Sequence, residues 1–519
     1  MSRTTSVFQW PRVALGGPAL WAPLILALST GLFAVALGSA GSSAREVIFA
    51  SLSLGTYLMA LLFIIGPRLR DGLGIGTWRI GSWMLLWCGL TSGIATITWS
   101  HPQIGTVAQI AITSVLRAMG LVAVGMTAWA IGYIAGPGEP LRRLSARAVG
   151  MLADRRGPVV RSSAAPWILY GLGLAGRAAT AATTGRFGYV GDASTAVSSA
   201  SWYGQILSTV ALCAPLAVSV AALRVFTERR PNARLGLVTL VVAELIFGAV
   251  AGGKQNFVVT VLAVAIPYSV TKRRIPLVAL GIVALVFLTV VIPFNQAYRS
   301  AARGSAATLS ISEAIDTAPA TLRDVLEIRG MLAAIPKSFY YLLLRSQEID
   351  SPAVILQRTP GQIGFSSPVN LIEGPAAALV PRAIWPGKPI LATGYKFGQE
   401  YYRSPSTLYT SSAVTPIGDL YRHGGWVPVL AGMLLLGAIV RLFDDSLNVR
   451  MNPQAVLLVL LLFPTFVKGE QDWVTLLAGV PADLIIWWLA ATISFGKPRM
   501  GVIPRRSLGG SGMIVLAER

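Results

Sequence analysis

The sequence predicts an all-α integral membrane protein of about twelve transmembrane helices, with one large, partly helical extracytoplasmic loop late in the chain. Three observations carry that expectation. First, 54% of the 519 residues are hydrophobic and only 13% are charged, about half the charged share of a soluble domain. With a mean hydropathy of +0.63, a chain of this size could not bury its apolar surface in water, so lipid is the solvent. Second, the apolar residues fall in segments close to the length of a spanning helix, about 20 residues. Third, the basic residues gather in alternate connecting segments, the signature of membrane orientation. These features exclude a soluble enzyme, a coiled coil, a disordered scaffold and a disulfide-rich secreted domain. The net charge of +21 is an orientation signal in so apolar a chain, and no nucleic-acid partner is expected.

Twelve segments fit a helix through the bilayer: 19–40, 47–66, 80–99, 116–136, 164–184, 203–223, 235–252, 256–271, 275–295, 426–443, 454–468 and 473–495. Two of them, 256–271 and 454–468, are short and suit weakly tilted spans or half-helices lining a cavity. With the N-terminus inside, 25 of the 43 basic residues fall in inner segments, six of them (Arg142, Arg143, Arg147, Arg155, Arg156 and Arg161) in one loop. The short outer loops hold only Arg45, Arg186, Lys254 and Lys468. That asymmetry places both termini in the cytoplasm. Met1 to Pro18 lacks a small-residue cleavage site after a short apolar core and reads as a cytoplasmic tail before a retained helix. The expected division is a membrane region over 1–296, an outer loop over 297–425, a second membrane region over 426–495, and a basic cytoplasmic tail over 496–519.

The loop of 129 residues is too long for a connector. Ser310 to Glu313 reads as a capping box, and Arg323 and Glu327 stand four residues apart on the predicted helix that follows. Met331 to Arg345 is amphipathic and suits the membrane surface. Pro360 to Pro416, rich in Gly, Pro and aromatic residues, suggests an irregular binding loop.

Charges inside a bilayer are costly, so Arg117, Arg177, Glu244 and Asp483 each pair between helices or meet a substrate. Arg177, near the outer end of its helix, is a candidate substrate contact. Lys254 follows Gly252-Gly253, where close backbone approach is possible and a lipid headgroup would lie. The spacing is not that of a phosphate-binding loop. Cys88 and Cys213 fall in apolar runs and read as core residues. The two histidines, His101 and His423, have no metal-ligand spacing around them, so no metal site is expected. The densest group lies at the outer interface: Arg299, Arg303, Arg382, Lys388, Asp419, Tyr421, Arg422, His423, Lys468, Glu470 and Asp472. Arginine forks match phosphate oxygens two at a time, so outer-face arginines suit a diphosphate. Trp385, Tyr401, Tyr402, Tyr409 and Trp426 either stack on sugar rings or anchor the interface.

At Pro381-Arg382, Trp385-Pro386 and Lys388-Pro389, and at Gly418, Tyr421 and Gly424-Gly425, the chain resembles the oligosaccharide repeat-unit polymerases of bacterial surface polysaccharides, the O-antigen polymerase family. The resemblance spans roughly residues 235–480 and includes Gly252-Gly253-Lys254, where Lys254 stands in place of the arginine common in that family. It implies a polytopic glycosyltransferase of the bacterial cytoplasmic membrane, acting on polyprenyl-diphosphate-linked oligosaccharide among membrane lipids, without a cofactor. A chain-length regulator or a flippase would be its partner. In this reading Arg299, Arg382 and Arg422 bind the diphosphate, and Lys254, Lys388 and Arg177 are further cations. Asp419, Glu470 or His423 takes the acceptor's proton. The first outer loop offers only Glu46 beside Arg45, which implies metal independence. An O-antigen ligase shares the donor and differs in the acceptor; a lipid-linked sugar transporter or a structural scaffold are the rivals from other classes.

Overall fold

The computed structural model describes residues 21–38, 44–65, 78–100, 110–154, 159–160, 162–185, 202–228, 231–272, 274–304, 311–326, 328–380, 385, 393–404, 412–447 and 453–496. Helices α1 (Trp21–Gly38) and α2 (Ala44–Ile65) lie together. Helix α3 (Ile80–Cys88) runs on through a π-turn (Gly89–Gly93) and a 3-10 stretch (Ile94–Ser100). Helices α4 (Ile112–Ala135), α5 (Glu139–Asp154), α6 (Ala165–Thr184), α7 (Trp202–Ala211), α8 (Cys213–Glu228), α9 (Pro231–Val250) and α10 (Lys254–Lys272) follow. Helix α11 (Leu277–Val286) passes through a second π-turn (Phe287–Val291) into α12 (Ile292–Gly304). The segment expected as the outer loop carries α13 (Ile311–Val325), α14 (Ile328–Ser346), α15 (Asp350–Arg358), α16 (Asn370–Leu379), α17 (Thr393–Tyr402) and α18 (Pro416–Arg422). The chain then forms α19 (Trp426–Ser446), α20 (Ala455–Val467) and α21 (Trp473–Ser494).

Among the described residues each of the twelve apolar segments is mostly helical, and eight helices are long and apolar enough to cross a membrane. The helices over 21–38, 165–184, 254–272 and 455–467 fall short in length or hydropathy. Lipid supplies no partner for backbone N–H and C=O groups, so an apolar segment there closes its own hydrogen bonds as a helix. The outward surface agrees: Val278, Val427 and Leu277 are 72–79% exposed, while Leu54, Trp129 and Leu458 are buried. An aqueous surface would not carry so many large apolar side chains. Helices α4 and α19 cross closely because both carry glycine at the contact. A Cβ on Gly132 would strike the Leu434 carbonyl, and one on Gly437 the Trp129 carbonyl.

Ion pairs and caps tie one end of the bundle. The Ile80 and Gly81 amides donate to Asp444 at 2.9 and 3.0 Å, and the Tyr133 hydroxyl adds a third bond at 2.8 Å. Asp445 accepts from Arg441 at 2.7 Å and lies 3.4 Å from Arg142. At this end a two-residue antiparallel pair, β1 (Val159–Val160) with β2 (Phe495–Gly496), joins the segment before α6 to the end of α21.

Several expectations for local structure change. Among the described residues the regular structure is helical apart from the β1–β2 pair. The basic segment after α4 forms the amphipathic helix α5, in which Glu139 pairs with Arg142 and Arg143. The stretch from Pro360 to Pro416, expected to be irregular, contains α16 and α17. Met331 to Arg345 lies within α14, which packs against the 3-10 stretch after α3 and the π-turn before α12. Ser310 and Glu327 lie outside the described residues.

Candidate functional site

The short helix α18 opens on Pro416 and is capped by Thr415, whose hydroxyl accepts the Gly418 amide at 3.2 Å. A Cβ on Gly418 would come 3.0 Å from the end of the Ile355 side chain, so glycine here lets α18 seat closely on α15. This seating drives Asp419 inward until it is fully buried. Its Oδ1 accepts the Arg422 Nε at 2.6 Å, and its Oδ2 accepts the Trp473 amide, the first N–H of α21, at 2.9 Å. His423 Nδ1 lies 2.7 Å from the Asp419 carbonyl oxygen and therefore donates to it, which leaves Nε2 unprotonated in the neutral ring. Asp472 caps α21 by accepting from the Thr475 amide and hydroxyl at 3.0 and 2.7 Å. Burial, and then the neighbouring Asp419 charge, raise the Asp472 carboxyl above its ordinary value. After α18 the chain reverses at Gly424 and Gly425, with φ of +148° and +75°. Glycine reaches such angles without strain. Tyr421 then sits edge-on to both Phe365 and Trp426.

A second knot adjoins this one. Trp87 donates its indole N–H to the Lys468 carbonyl at 2.9 Å and to Glu348 at 3.2 Å. Lys468 pairs with Glu470 at 3.1 Å, and both are about one-third exposed. Glu348 is buried beside them, and burial followed by the Glu470 charge holds its carboxyl well above the usual range. Asp350, at the start of α15, accepts from Tyr402 at 3.3 Å, and burial raises it from 3.8 to about 6. Tyr401 meets the Thr359 hydroxyl at 2.8 Å and stacks on Phe397.

The raised Asp350 has a consequence for stability. A carboxyl that holds its proton more tightly when folded contributes stability that is full below its unfolded value and is lost as pH rises through the folded one. Thermal unfolding in detergent is therefore expected to fall between pH 4 and 6. In Asp350→Asn that segment is expected to flatten. An unchanged slope would show that Asp350 titrates normally.

Around Lys254 the backbone turns sharply, with Gly252 at φ +65°. Asn295 donates to the Gly252 carbonyl at 2.6 Å and Tyr298 to that of Val250 at 2.8 Å. These bonds hold the half-buried Lys254 and the helix that carries Arg299 against one turn.

The structure thus brings Asp419, Arg422 and His423 together, with Glu470 on the turn that leads into Asp472. Lys254 lies on the same helix-end turn that α12 grips. Arg382, Lys388 and the side chain of Arg299 lie outside the described residues. Two expectations need correction. Arg177 gives both terminal nitrogens to Glu244, at 2.6 and 2.9 Å, and lies 3.7 Å over the Phe247 ring. It is an interhelical partner in this structure, not a cation presented to a diphosphate. Asp419 as proton acceptor does not fit either, since it is fully buried with both oxygens engaged. Sequence reasoning passed over Glu348 and Asp350. The only signal was their position in QEID, directly after an amphipathic run. Among the described residues no group of three or more His, Cys, Asp or Glu is arranged to hold a metal ion.

Residues 189–447 match the family described as a domain of unknown function, DUF8712. That stretch is just under half of the chain. It runs to the end of α19 and includes Lys254, Arg299, Arg382, Lys388, Asp419, Arg422 and His423, but neither Arg177 nor Glu470. No curated protein and no solved structure matches the chain.

Proposed function

We propose that the protein polymerises lipid-linked oligosaccharide repeat units at the outer face of the bacterial cytoplasmic membrane. In this reading the chain crosses the membrane twelve times, keeps both termini inside, and presents residues 297–425 outside. The observation that carries it is the Asp419–Arg422–His423 knot at the head of α21, set within the motif that resembles the O-antigen polymerases. Among the described residues Asp419 engages only the Nε of Arg422, so the two terminal nitrogens keep their capacity for phosphate oxygens.

The chemistry asked of the site is small. A hydroxyl oxygen of the lipid-linked acceptor attacks the anomeric carbon of the donor glycan. The bond from that carbon to the diphosphate oxygen breaks, and the electron pair leaves with polyprenyl diphosphate. The leaving group needs cations and no general acid. Arg422 supplies one, with Lys254, Arg299, Arg382 and Lys388 as the others in this reading. The hydroxyl proton passes to Glu470, whose side chain is one-third exposed, or to His423 through Nε2. No metal takes part.

The test uses purified protein in proteoliposomes with lipid-linked repeat units. A ladder of longer glycans is expected, unchanged by a metal chelator. Arg422→Ala is expected to slow its formation about 10²–10³-fold. Transfer to a different lipid acceptor without lengthening would point to a ligase. Movement across the bilayer at constant length would point to a transporter. Either result would overturn the proposal.

A further inference from the structure

The turn between α20 and α21 carries Lys468, Gly469 and Glu470, and it rests on a buried carboxyl that the proposed chemistry does not use. That carboxyl is Glu348. Its Oε1 accepts the Trp87 indole N–H at 3.2 Å, and the same N–H donates to the Lys468 carbonyl at 2.9 Å. Trp87 thus bridges the carboxyl and the turn. Gly469 completes the contact: with φ of +68° it lies so close that a Cβ there would sit 2.6 Å from Glu348 Oε2. Glu348 is tied to the π-turn after α3 as well, because its own amide donates to the Thr91 carbonyl at 3.4 Å.

Among the described residues no cation engages this carboxyl. The Lys468 ammonium goes to Glu470 instead, at 3.1 Å. The ionisable groups that face Glu348 are Glu470, Asp350 and the Cys88 thiol, and none of them offsets a negative charge. A buried carboxyl without a cation keeps its proton. Neutral, it can lie under Glu470 without repelling it. Of the two candidate bases, Glu470 is also the more accessible. His423 is buried and gives Nδ1 to the Asp419 carbonyl.

We propose that Glu348 is a positioning residue, which holds the 468–470 turn so that Glu470 takes the acceptor's proton. That proton moves from the acceptor hydroxyl to the Glu470 carboxylate as the new carbon–oxygen bond forms, and then to water. Glu348 keeps its own proton throughout and touches no substrate. The inference rests on the glycan-transfer reading and names the base within it.

The experiment measures the rate of glycan extension in proteoliposomes against acceptor concentration and pH. No extension by the unmodified protein would overturn the transfer reading and this inference together. When it does extend, the variants test the inference alone. Glu470→Gln is expected to lower kcat about 10²–10³-fold at unchanged KM, as for loss of a general base. Glu348→Ala is expected to lower kcat about tenfold at unchanged KM, because the base is then misplaced. Glu348→Gln keeps an oxygen for the Trp87 indole and is expected to restore most of kcat with the parent's pH profile. Trp87→Phe removes the shared N–H and is expected to match Glu348→Ala, with the double variant no slower, since both act through one turn. Thermal unfolding in detergent checks that Glu348→Ala folds, and Trp87→Phe carries the test if it does not. Full kcat in Glu348→Ala or in Trp87→Phe would overturn the positioning role. Full kcat in Glu470→Gln would return the proton to His423. An acidic limb moved to lower pH in Glu348→Gln would reveal a charged Glu348 and overturn the neutral contact, since losing a negative neighbour eases ionisation of the base.

Discussion

Replacing Asp419 with alanine is expected to destabilise the detergent-solubilised protein by about 3–5 kcal/mol, the usual result of leaving one partner of a buried ion pair uncompensated. Arg422 would keep its charge with 13% exposure and lose the carboxylate to which its Nε donates. The first amide of α21 would lose its acceptor as well. Asp419→Asn keeps an oxygen for the Trp473 amide and is expected to lose only about 1.5–3 kcal/mol, the worth of a charged hydrogen bond. Thermal unfolding separates the two variants, and the glycan ladder adds a second reading. A positioning role predicts that Asp419→Asn still extends glycans, slowly. A well-folded Asp419→Asn with no extension at all would restore Asp419 as the base. An alanine variant as stable as the parent would remove the knot's structural role.

The second large effect concerns Arg177 and Glu244. Both are nearly inaccessible, with side-chain exposures of 12% and 2%. Arg177→Met or Glu244→Met alone is expected to lower stability by about 3–5 kcal/mol, because each strands the other charge inside the bundle. The double replacement, with apolar residues of similar length, is expected to come within about 1 kcal/mol of the parent. A double-mutant cycle in thermal unfolding measures this directly. The double variant is also expected to keep its glycan ladder. Loss of the ladder in a stable double variant would return Arg177 to the diphosphate.

Much of the helical architecture was legible because the bilayer simplifies the problem. A segment such as 426–443 has one way to satisfy its backbone in lipid, and it is helical in the structure as α19. Helix α5 was missed because its apolar residues are spread among arginines, and only its amphipathic spacing marks it. The candidate site was legible in part. Asp419, Arg422 and His423 stand within five residues, so a single turn of α18 gathers them. Trp473 reaches Asp419, and Trp87 reaches Glu348 in the adjoining knot, from far along the chain, and no local spacing signals those contacts. The intramembrane charges show the same division. Their rarity marked Arg177 and Glu244 as meaningful, but 67 residues separate them, and only the packing of α6 near α9 shows that each is the other's partner.

Composition and periodicity determined the solvent, the helical class and the segments that enter lipid, since these depend on how each stretch of chain meets its surroundings. Which charges are spent on one another and which stay open to a substrate was decided by tertiary structure. An ion pair depends on distances of a few ångströms between helices, and sequence order carries no record of those distances.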